Sequence, residues 1–465
     1  MITLPPLKKF FSQRKTEPVT AVTAVTPQPV TSTALPARVG FSSYSIVTAA
    51  YNVERYIDDY FNSLVNQTLS FEKNIDVIIV DDGSVDGTAR KVAEWMEKYP
   101  ANIRYIYQSN AGQGAARNNG LAYARNEWVT FIDMDDFVSD NYFDVCDEQI
   151  RINADHQELK ALCASFVFYF DDTEKFSDTH PLRFRFAKGD VVVPIATPGK
   201  HICLNVNAVL FKRNRVLAQG LRFNHDIKPG FEDSDFINSY LLGVDEGYMA
   251  YLQTAKYYYR KRDDGTSTLD TGWKHPGRYD HQLRLGSLGL IKKCIERHGH
   301  VKEYIQRVVL YDLIWHLSRI LRKDADIYSL SEPQLKLYQS LIHEIFTHIS
   351  IDTIMSFELG GTWFFQKRGM LALFKNYSPN FNIAYIDDLD TIKDLVKIRY
   401  FSEKPETEEE FKWDGKLTLP TYAKTRTHSF FGKPFIYERI VWLRVGDTKQ
   451  LTMKTCGRET RITLR

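Results

Sequence analysis

The sequence predicts an α/β fold with a mostly parallel sheet, followed by a helical region and a β-rich C-terminal segment. Between residues 44 and 133, short apolar runs alternate with segments in which apolar residues recur at helical spacing. Parallel strands buried on both faces show as continuous apolar runs, and the helices that connect them are amphipathic. The pattern therefore indicates a doubly wound sheet covered by helices.

The predicted elements follow one another in chain order. Strands are expected at 45–50, 75–80, 103–107 and 128–133, with helices at 52–67, 88–99 and 115–125. After residue 140 the alternation weakens, and we expect strands at 160–170, 207–212 and 254–262 and a helix at 234–243. Helical spacing then dominates 281–400, and short β-type runs follow, with a turn expected at Gly446-Asp447.

These patterns divide the chain into four segments. Residues 1–40 are rich in Thr, Pro, Val and Ala without helical spacing, which predicts a disordered tail or linker. Residues 41–280 form the α/β domain, 281–403 a helical region and 404–465 a β-rich segment. The predicted strand TRITLR runs to Arg465. A chain that ends within a strand is also what we expect of a fragment of a larger polymerase.

Composition and charge exclude several classes of protein. The 465 residues are 43% hydrophobic and 25% charged, unlike a disordered chain, a collagen-like fibre or a disulfide miniprotein. The formal charge of +2 gives no overall basic footprint for nucleic acid. The 5 cysteines are scattered and form no CxxC pair. We therefore expect free thiols in a reducing cytosol and neither a disulfide framework nor a zinc ribbon.

The N-terminal segment bears on localisation. MITLPPLKKFFSQRK is basic and aromatic but lacks the apolar core and cleavage site of a signal peptide. No apolar run in the chain reaches the roughly 18 residues of a membrane span. We expect a cytoplasmic protein whose start suits peripheral contact with the anionic inner face of the membrane. The alternative is a solvated tail, because Pro5 and Pro6 interrupt any helix there.

Acidic residues collect where predicted parallel strands end. Asp81 and Asp82 follow one strand, and Asp133 and Asp135 follow another. Open α/β sheets bind ligands at this edge, and alternation along a strand would direct Asp133 and Asp135 to one side. Such a pair suits a divalent cation that bridges phosphates, and Asp82 suits a base or ribose. The alternative is that both clusters only build turns.

Two segments look like known motifs but do not fit them. NAGQGAARNNG (110–120) follows a strand, but Arg117 stands where a dinucleotide fingerprint needs glycine or alanine. We reject an NAD site and expect Arg117 near phosphate or carboxylate groups. HEIFTH fails as a zinc-protease helix, because His343 and His348 lie on different helix faces.

Two further segments carry charges that suit the same crevice. In PGFEDSDF (229–236), Asp233 is a candidate general base, although acidic residues at a helix start also complement the helix dipole. In YRKRDDGTST (259–268), Arg260 and Arg262 suit a diphosphate, although such runs are also common in solvated hairpins.

Together these segments resemble the family 2 glycosyltransferases of the bacterial surface-polysaccharide type, which adopt the GT-A fold. The resemblance is dense over about residues 44–140, in SIVTAAYNVERYIDDYFNSLVNQT, IDVIIVDDGSVDGT, NAGQGAARNNGLAYA and WVTFIDMDD. It is looser in GFEDSDF and YYYRKRDDGTST, and Ala49 stands where proline is usual before the Tyr-Asn pair. The resemblance implies that residues 41–280 are a GT-A catalytic domain.

The resemblance also implies a reaction and roles for residues. The reaction is inverting transfer of a sugar from a nucleotide-sugar, usually a UDP-sugar, to a glycan or lipid-linked glycan, with Mn²⁺ or Mg²⁺, as in polysaccharide or capsule biosynthesis. Tyr51 and Asp82 would contact the nucleoside. Asp133 and Asp135 would be the DxD pair, with Asp135 the more direct metal ligand, and Asp233 would be the catalytic base.

Two other interpretations stay open. A sugar-1-phosphate nucleotidyltransferase shares the α/β site and the metal, but it should carry a glycine-rich basic loop where this chain has TAAYNVERY. A catalytically degenerate transferase would serve as a nucleotide-sugar or glycan-binding scaffold, and the presence of Asp133, Asp135 and Asp233 argues against it. The sequence identifies neither the donor sugar nor the acceptor.

Overall fold

The structure is a computed structural model that describes residues 41–154, 158–262, 271–444 and 450–464. Three predictions fall outside these ranges: the tail at 1–40, the 263–268 part of the segment after Arg262, and the turn at Gly446-Asp447. Within the described residues no helix is both long and apolar enough to cross a membrane.

The N-terminal domain is built on a mixed sheet. Its strands are β1 Tyr44–Ala50, β2 Ile75–Asp81, β3 Ile103–Tyr107, β4 Trp128–Phe131, β5 Phe137–Val138, β6 Leu159–Phe170, β7 Lys175–Ser177, β8 Val191–Pro194, β9 Val209–Lys212 and β10 Tyr248–Lys261. The hydrogen-bonded order is β3-β2-β1-β4-β9-β6-β10-β5, with β7 beside β6 and β8 beside β10. The first four strands are parallel, and β9 runs antiparallel between β4 and β6. The predicted α/β class is confirmed.

Helices cover both faces of this sheet, and separate apolar clusters pack on its two faces. They are α1 Ile57–Val65, α2 Phe71–Asn74, α3 Thr88–Lys98, α4 Gln113–Leu121, α5 Tyr142–Ile152, α6 Arg213–Ala218 and α7 Glu232–Leu242. In α1 the predicted apolar stripe is buried, with Tyr60, Phe61 and Leu64 in the core. The helices predicted between the first four strands are therefore confirmed.

A helical region follows the first sheet. Its helices are α8 Leu288–His298, α9 Glu303–Leu321, α10 Ala325–Tyr328, α11 Glu332–Thr347, α12 Ile351–Ser356 and α13 Phe364–Lys375. A capping box between Ser331 and Gln334 begins α11. The helices bury their apolar sides in one cluster, which also contains Phe401, Phe430 and Phe435 from the strands that follow.

The C-terminal region forms a second sheet and corrects one prediction. Its strands are β11 Asn382–Asp390, β12 Leu395–Ser402, β13 Glu409–Trp413, β14 Lys416–Thr418, β15 Tyr422–Phe430, β16 Lys433–Arg444, β17 Leu451–Thr455 and β18 Arg458–Leu464. The helical prediction for 281–403 is wrong over β11 and β12. In β11 burial alternates residue by residue from Asn382 to Ile386, which is a strand period and not a helical one.

Candidate active site

The carboxyl ends of the parallel strands meet at one edge of the first sheet. Ala50 of β1 is in register with Asp81 of β2, and Asp81 is in register with Tyr107 of β3. The next residues along the chain, Tyr51 and Asp82, therefore lie at the same edge. This is the edge at which open α/β sheets bind their ligands.

Tyr51 and Asp82 differ in what they offer a ligand. Tyr51 is 51% exposed, so its ring is accessible to a nucleoside. Asp82 is 3% exposed, and its carboxylate accepts hydrogen bonds from Gln108 Nε2 at 2.7 Å and from the backbone N–H groups of Ala111 and Gly112 at 2.8 and 2.7 Å. Asp82 therefore fixes the loop that begins α4.

The carboxylates of Asp133, Asp135 and Asp136 form an acidic turn after β4. One oxygen from each lies within 4.8 Å of the others. The sequence predicts that Asp133 and Asp135 lie together because side chains alternate along a strand. The two carboxylates do lie together, but strand alternation is not the cause. β4 ends at Phe131, and a turn in which Asp136 N–H bonds to Asp133 O at 3.1 Å brings the side chains together. This carboxylate oxygen set suits Mg²⁺ or Mn²⁺.

The acidic turn is partly buried, and burial disfavours the charged form of its carboxyl groups. Burial raises the pKa of Asp135 above its ordinary value, and the neighbouring Asp133 carboxylate adds to the rise. The Arg262 guanidinium opposes the rise, with Nη2 at 3.0 Å from Asp135 Oδ2. Asp136 faces inward, where it accepts hydrogen bonds from Tyr257 Oη at 2.5 Å and Arg260 N at 2.8 Å. Within this turn, Asp135 therefore has the fewest protein partners competing for its oxygens.

Both oxygens of Asp133 are held by the protein. Oδ1 accepts from Arg117 Nη2 at 2.7 Å and Gln113 Nε2 at 2.9 Å. Oδ2 accepts from Asn207 Nδ2 at 2.5 Å. Asn207 also donates to Tyr257 Oη at 3.1 Å, so the turn before β9 and strand β10 support the position of Asp133.

Arg117 joins the acidic turn to the candidate base. It is 1% exposed, and its second guanidinium nitrogen, Nη1, lies 2.8 Å from Asp233 Oδ1. Burial alone would lower the pKa of Arg117, but the Asp133 and Asp233 carboxylates outweigh it and raise the pKa. Arg117 therefore lies near carboxylates, one of the two surroundings that the sequence predicted.

Asp233 lies in the first turn of α7. Phe231 at the helix start has a left-handed φ of 83°, which turns the chain into the helix. Asp233 Oδ2 is 3.4 Å from Val206 N. Burial raises the pKa of Asp233, although Arg117 pulls it down, and burial together with the Asp233 charge raises the pKa of Glu232 to about 8. A carboxylate with a raised pKa is a stronger proton acceptor, as a general base requires.

Arg260 does not have the surroundings predicted for it. It is 4% exposed, and its guanidinium binds Asp171 at 2.5 Å and Asp59 at 2.7 Å. Its Nε donates to the backbone oxygen of Asp135 at 2.8 Å. We therefore withdraw Arg260 from the groups expected to contact a diphosphate, because its guanidinium nitrogens are already bound to Asp59, Asp171 and the backbone of Asp135. Arg262 is partly exposed and stays a candidate.

Part of the chain matches a known protein family. Residues 45–206 match the family model described as Glycosyl transferase family 2. The similarity to the family 2 glycosyltransferases therefore applies to this segment of the N-terminal domain. This family match covers β1 through β8, and with them Tyr51, Asp82, Arg117 and the acidic turn.

Two curated relatives come from Bacillus subtilis (strain 168). The chain is 28% identical over 356 residues to the minor teichoic acid biosynthesis protein GgaB. The aligned region covers 77% of this chain and 37% of the relative. It is 31% identical over 277 residues to the minor teichoic acid biosynthesis protein GgaA, which covers 58% of each. The chain thus spans less than two thirds of the length of either relative.

Crystal structures of S. aureus TarS share the fold of this chain. One matches with a TM-score of 0.55 at 13% identity, over 91% of this chain and 78% of that chain. TarS 1-349 in complex with UDP-GlcNAc matches with a TM-score of 0.53 at 17% identity, over 71% and 86% respectively. At these identities the likeness establishes the fold alone.

Several groups that support the site are not predicted by the sequence. Gln113 lies inside the segment 110–120, whose glycines are its recognisable feature, and nothing there indicates that the Gln113 side chain contacts Asp133. Asn207 lies in the short 3-10 turn Val206–Ala208 that precedes β9, and Tyr257 lies in β10, where the apolar sequence around each indicates only burial. Asp136 follows the DxD pair directly, and adjacency to two acidic residues was the one signal that could have included it.

Proposed function

We propose that this chain is an inverting glycosyltransferase that moves a sugar from a UDP-sugar to a hydroxyl group of a bacterial surface polymer. The observation that carries the proposal is the bridge by Arg117, because it holds the candidate base Asp233 and the DxD residue Asp133 on one guanidinium at 2.8 and 2.7 Å. A base and a phosphate-binding cation site must lie this close when they act on the two sides of one glycosidic carbon.

The substrates are proposed from the relatives. GgaA and GgaB are named for minor teichoic acid biosynthesis, so we propose a surface glycan or a lipid-linked glycan as acceptor. TarS binds UDP-GlcNAc in its crystal structure, which supports a UDP-sugar as donor. Tyr51, half exposed at the strand ends, would then pack against the nucleoside.

Each residue of the site has a proposed task. Asp135, with Asp133 beside it, would hold Mn²⁺ or Mg²⁺, which would neutralise the charge on the leaving diphosphate. Arg262 would add a second positive charge on the same side. Asp233 would accept the proton of the acceptor hydroxyl as its oxygen attacks the anomeric carbon from the face opposite the diphosphate. The C–O bond to the diphosphate breaks as the new bond forms, so the configuration inverts.

One experiment with two variants tests this proposal. Asp233→Asn should lower transfer by about 10²–10⁴-fold, the usual contribution of a general base. It should leave UDP binding nearly unchanged. Asp135→Ala should remove the Mn²⁺-dependent part of UDP affinity. Release of the nucleoside diphosphate from a panel of nucleotide-sugars measures transfer. Titrations with UDP, with and without Mn²⁺, measure UDP affinity.

The control is Asp352→Asn, an exposed carboxylate in α12. It should leave transfer and UDP affinity at wild-type values. Turnover retained by Asp233→Asn would require another base, and metal-dependent UDP binding retained by Asp135→Ala would remove Asp135 from the cation site.

A further inference from the structure

A cavity of about 560 Å³ opens beside the candidate active site. We call it the acceptor groove. It lies between the start of α4, the loop before α7 and the segment after residue 270. The lining groups used below are Gln113, Lys228, Glu232, Lys274 and His275.

The acceptor groove adjoins both halves of the reaction centre. Gln113 lines it and donates to Asp133 at 2.9 Å, on the DxD side. Glu232 lines it and precedes Asp233, on the base side. Its other walls come from residues 225–229 and 271–276, outside the 45–140 segment that carries Tyr51 and Asp82. The groove also borders Gly112, whose backbone N–H donates to Asp82 at 2.7 Å. A molecule in the groove therefore lies next to both the candidate base and the loop that Asp82 holds.

The lining of the groove is positively charged. Lys228 and Lys274 are exposed, and neither forms an ion pair with any residue that the structure describes. Among the described residues of the lining, Glu232 carries the carboxyl group, and burial together with the Asp233 charge raises its pKa to about 8, which disfavours its charged form. The described lining therefore presents two ammonium groups beside a carboxyl group whose negative charge is disfavoured.

His275 adds an oriented donor to these charges. Its Nδ1 accepts the backbone N–H of Gly277 at 3.0 Å. The proton of the neutral ring must then be on Nε2, which becomes a hydrogen-bond donor. Ammonium groups and imidazole N–H groups are suitable hydrogen-bond donors to phosphate oxygens, and the groove provides two of the first and one of the second.

We propose that the acceptor groove binds a phosphate group of a phosphodiester-linked acceptor, through Lys228, Lys274 and His275. This inference rests on the proposed function, because it assigns the acceptor class of that same site. A phosphate held in the groove would place a hydroxyl of the adjoining polyol or sugar unit near Asp233. Specificity would then come from the anion held in the groove next to the base.

The test is a binding measurement that needs no turnover. The probe is a fluorescently labelled synthetic glycerol phosphate oligomer, titrated against the full chain at two salt concentrations. The double variant Lys228→Gln/Lys274→Gln should weaken binding of the oligomer by about tenfold or more, the loss expected from removing two charge-assisted contacts. UDP affinity should stay unchanged. The matched control Lys188→Gln/Lys292→Gln removes two exposed lysines elsewhere and should bind like the wild type.

The outcomes separate this inference from the proposed function. An equal loss of oligomer affinity in both double variants would mean that the oligomer is attracted by the overall charge of the protein. That result would overturn the proposal that the groove binds phosphate. A loss of UDP affinity in Lys228→Gln/Lys274→Gln would assign these lysines to the donor diphosphate and would also overturn it. No binding of the oligomer by the wild type would overturn it as well. If the oligomer binds in the groove but no nucleotide-sugar is consumed, the proposed function fails and the binding site stands.

Discussion

Arg117 shows how a single side chain determines the geometry of the site. The guanidinium is planar and has several N–H groups, so it can hold two carboxylates on separate nitrogens. Asp133 and Asp233 come from distant parts of the chain, after β4 and in α7, and they share this one cation. Without it, two partly buried carboxylates would repel one another across the site. Arg117 therefore positions Asp233, the proposed base, as well as balancing its charge.

This role predicts the result of replacing Arg117 with lysine. Arg117→Lys keeps the charge but provides one compact ammonium, which cannot keep both contacts at 2.7 and 2.8 Å. We expect kcat to fall by about 10²-fold, the usual result of misplacing a catalytic group. KM for the nucleotide-sugar should change little, because Asp135 and Tyr51 remain. Steady-state kinetics with both substrates varied measure this difference.

Arg125→Lys is the matched control, since Arg125 is exposed and pairs with Asp76 at 3.3 Å on the surface. It should have wild-type kinetics. If Arg117→Lys changes KM for the donor and not kcat, Arg117 contacts the donor and does not position Asp233.

At the scale of elements, α4 brings Gln113 and Arg117 to the site, and Gly120 sets how closely this helix approaches the sheet. A Cβ at Gly120 would lie 2.5 Å from Val47 Cγ1 of β1 and 3.0 Å from Val80 Cγ2 of β2. Gly120→Ala should therefore lower the free energy of unfolding by about 1–3 kcal/mol, the usual cost of overpacking. It should also lower activity. Urea unfolding followed by circular dichroism measures the first effect.

Gly289 in α8 provides the comparison, because a Cβ there meets nothing within 4 Å. Gly289→Ala should raise the free energy of unfolding by up to about 1 kcal/mol, since alanine favours a helix over glycine. If both variants behave alike, close packing of α4 on the sheet is not what requires Gly120.

Local sequence predicted elements better than side-chain partners. The apolar runs of β1, β2 and β3 and the stripe of α1 are short-range patterns, so they could be located from the sequence. The partners of Arg260 could not, because Asp59 and Asp171 reach it only through the tertiary fold. Likewise the link between Arg117 and Asp233 spans 116 positions along the chain. The helical prediction for 281–403 is wrong over β11, because the helical spacing of the preceding residues ends with α13 at Lys375 and does not continue into β11.

At the scale of the whole molecule, the helical region and the second sheet share a core. Phe401, Phe430, Phe435 and Ile436 pack in the same apolar cluster as α9, α11 and α13. Leu182, Ile202 and Leu242 of the N-terminal domain belong to this cluster too. The boundary at 403/404 expected from the sequence therefore passes through a continuous core, and the parts on either side of it should not be independently stable.

Phe435 provides the test of this shared core. Its ring packs directly on the backbone of α13 at Gly369, where an added Cβ would clash with it. Phe435→Ala should lower the free energy of unfolding by about 3–5 kcal/mol, the usual cost of removing a buried phenylalanine side chain. Because the core is continuous, amide hydrogen exchange should accelerate in α11 and α13 as well as in β16. Leu417→Ala in β14, where the side chain is 65% exposed, should change neither quantity. Faster exchange confined to the second sheet would show that the sheet unfolds without the helices and that the shared core does not couple them.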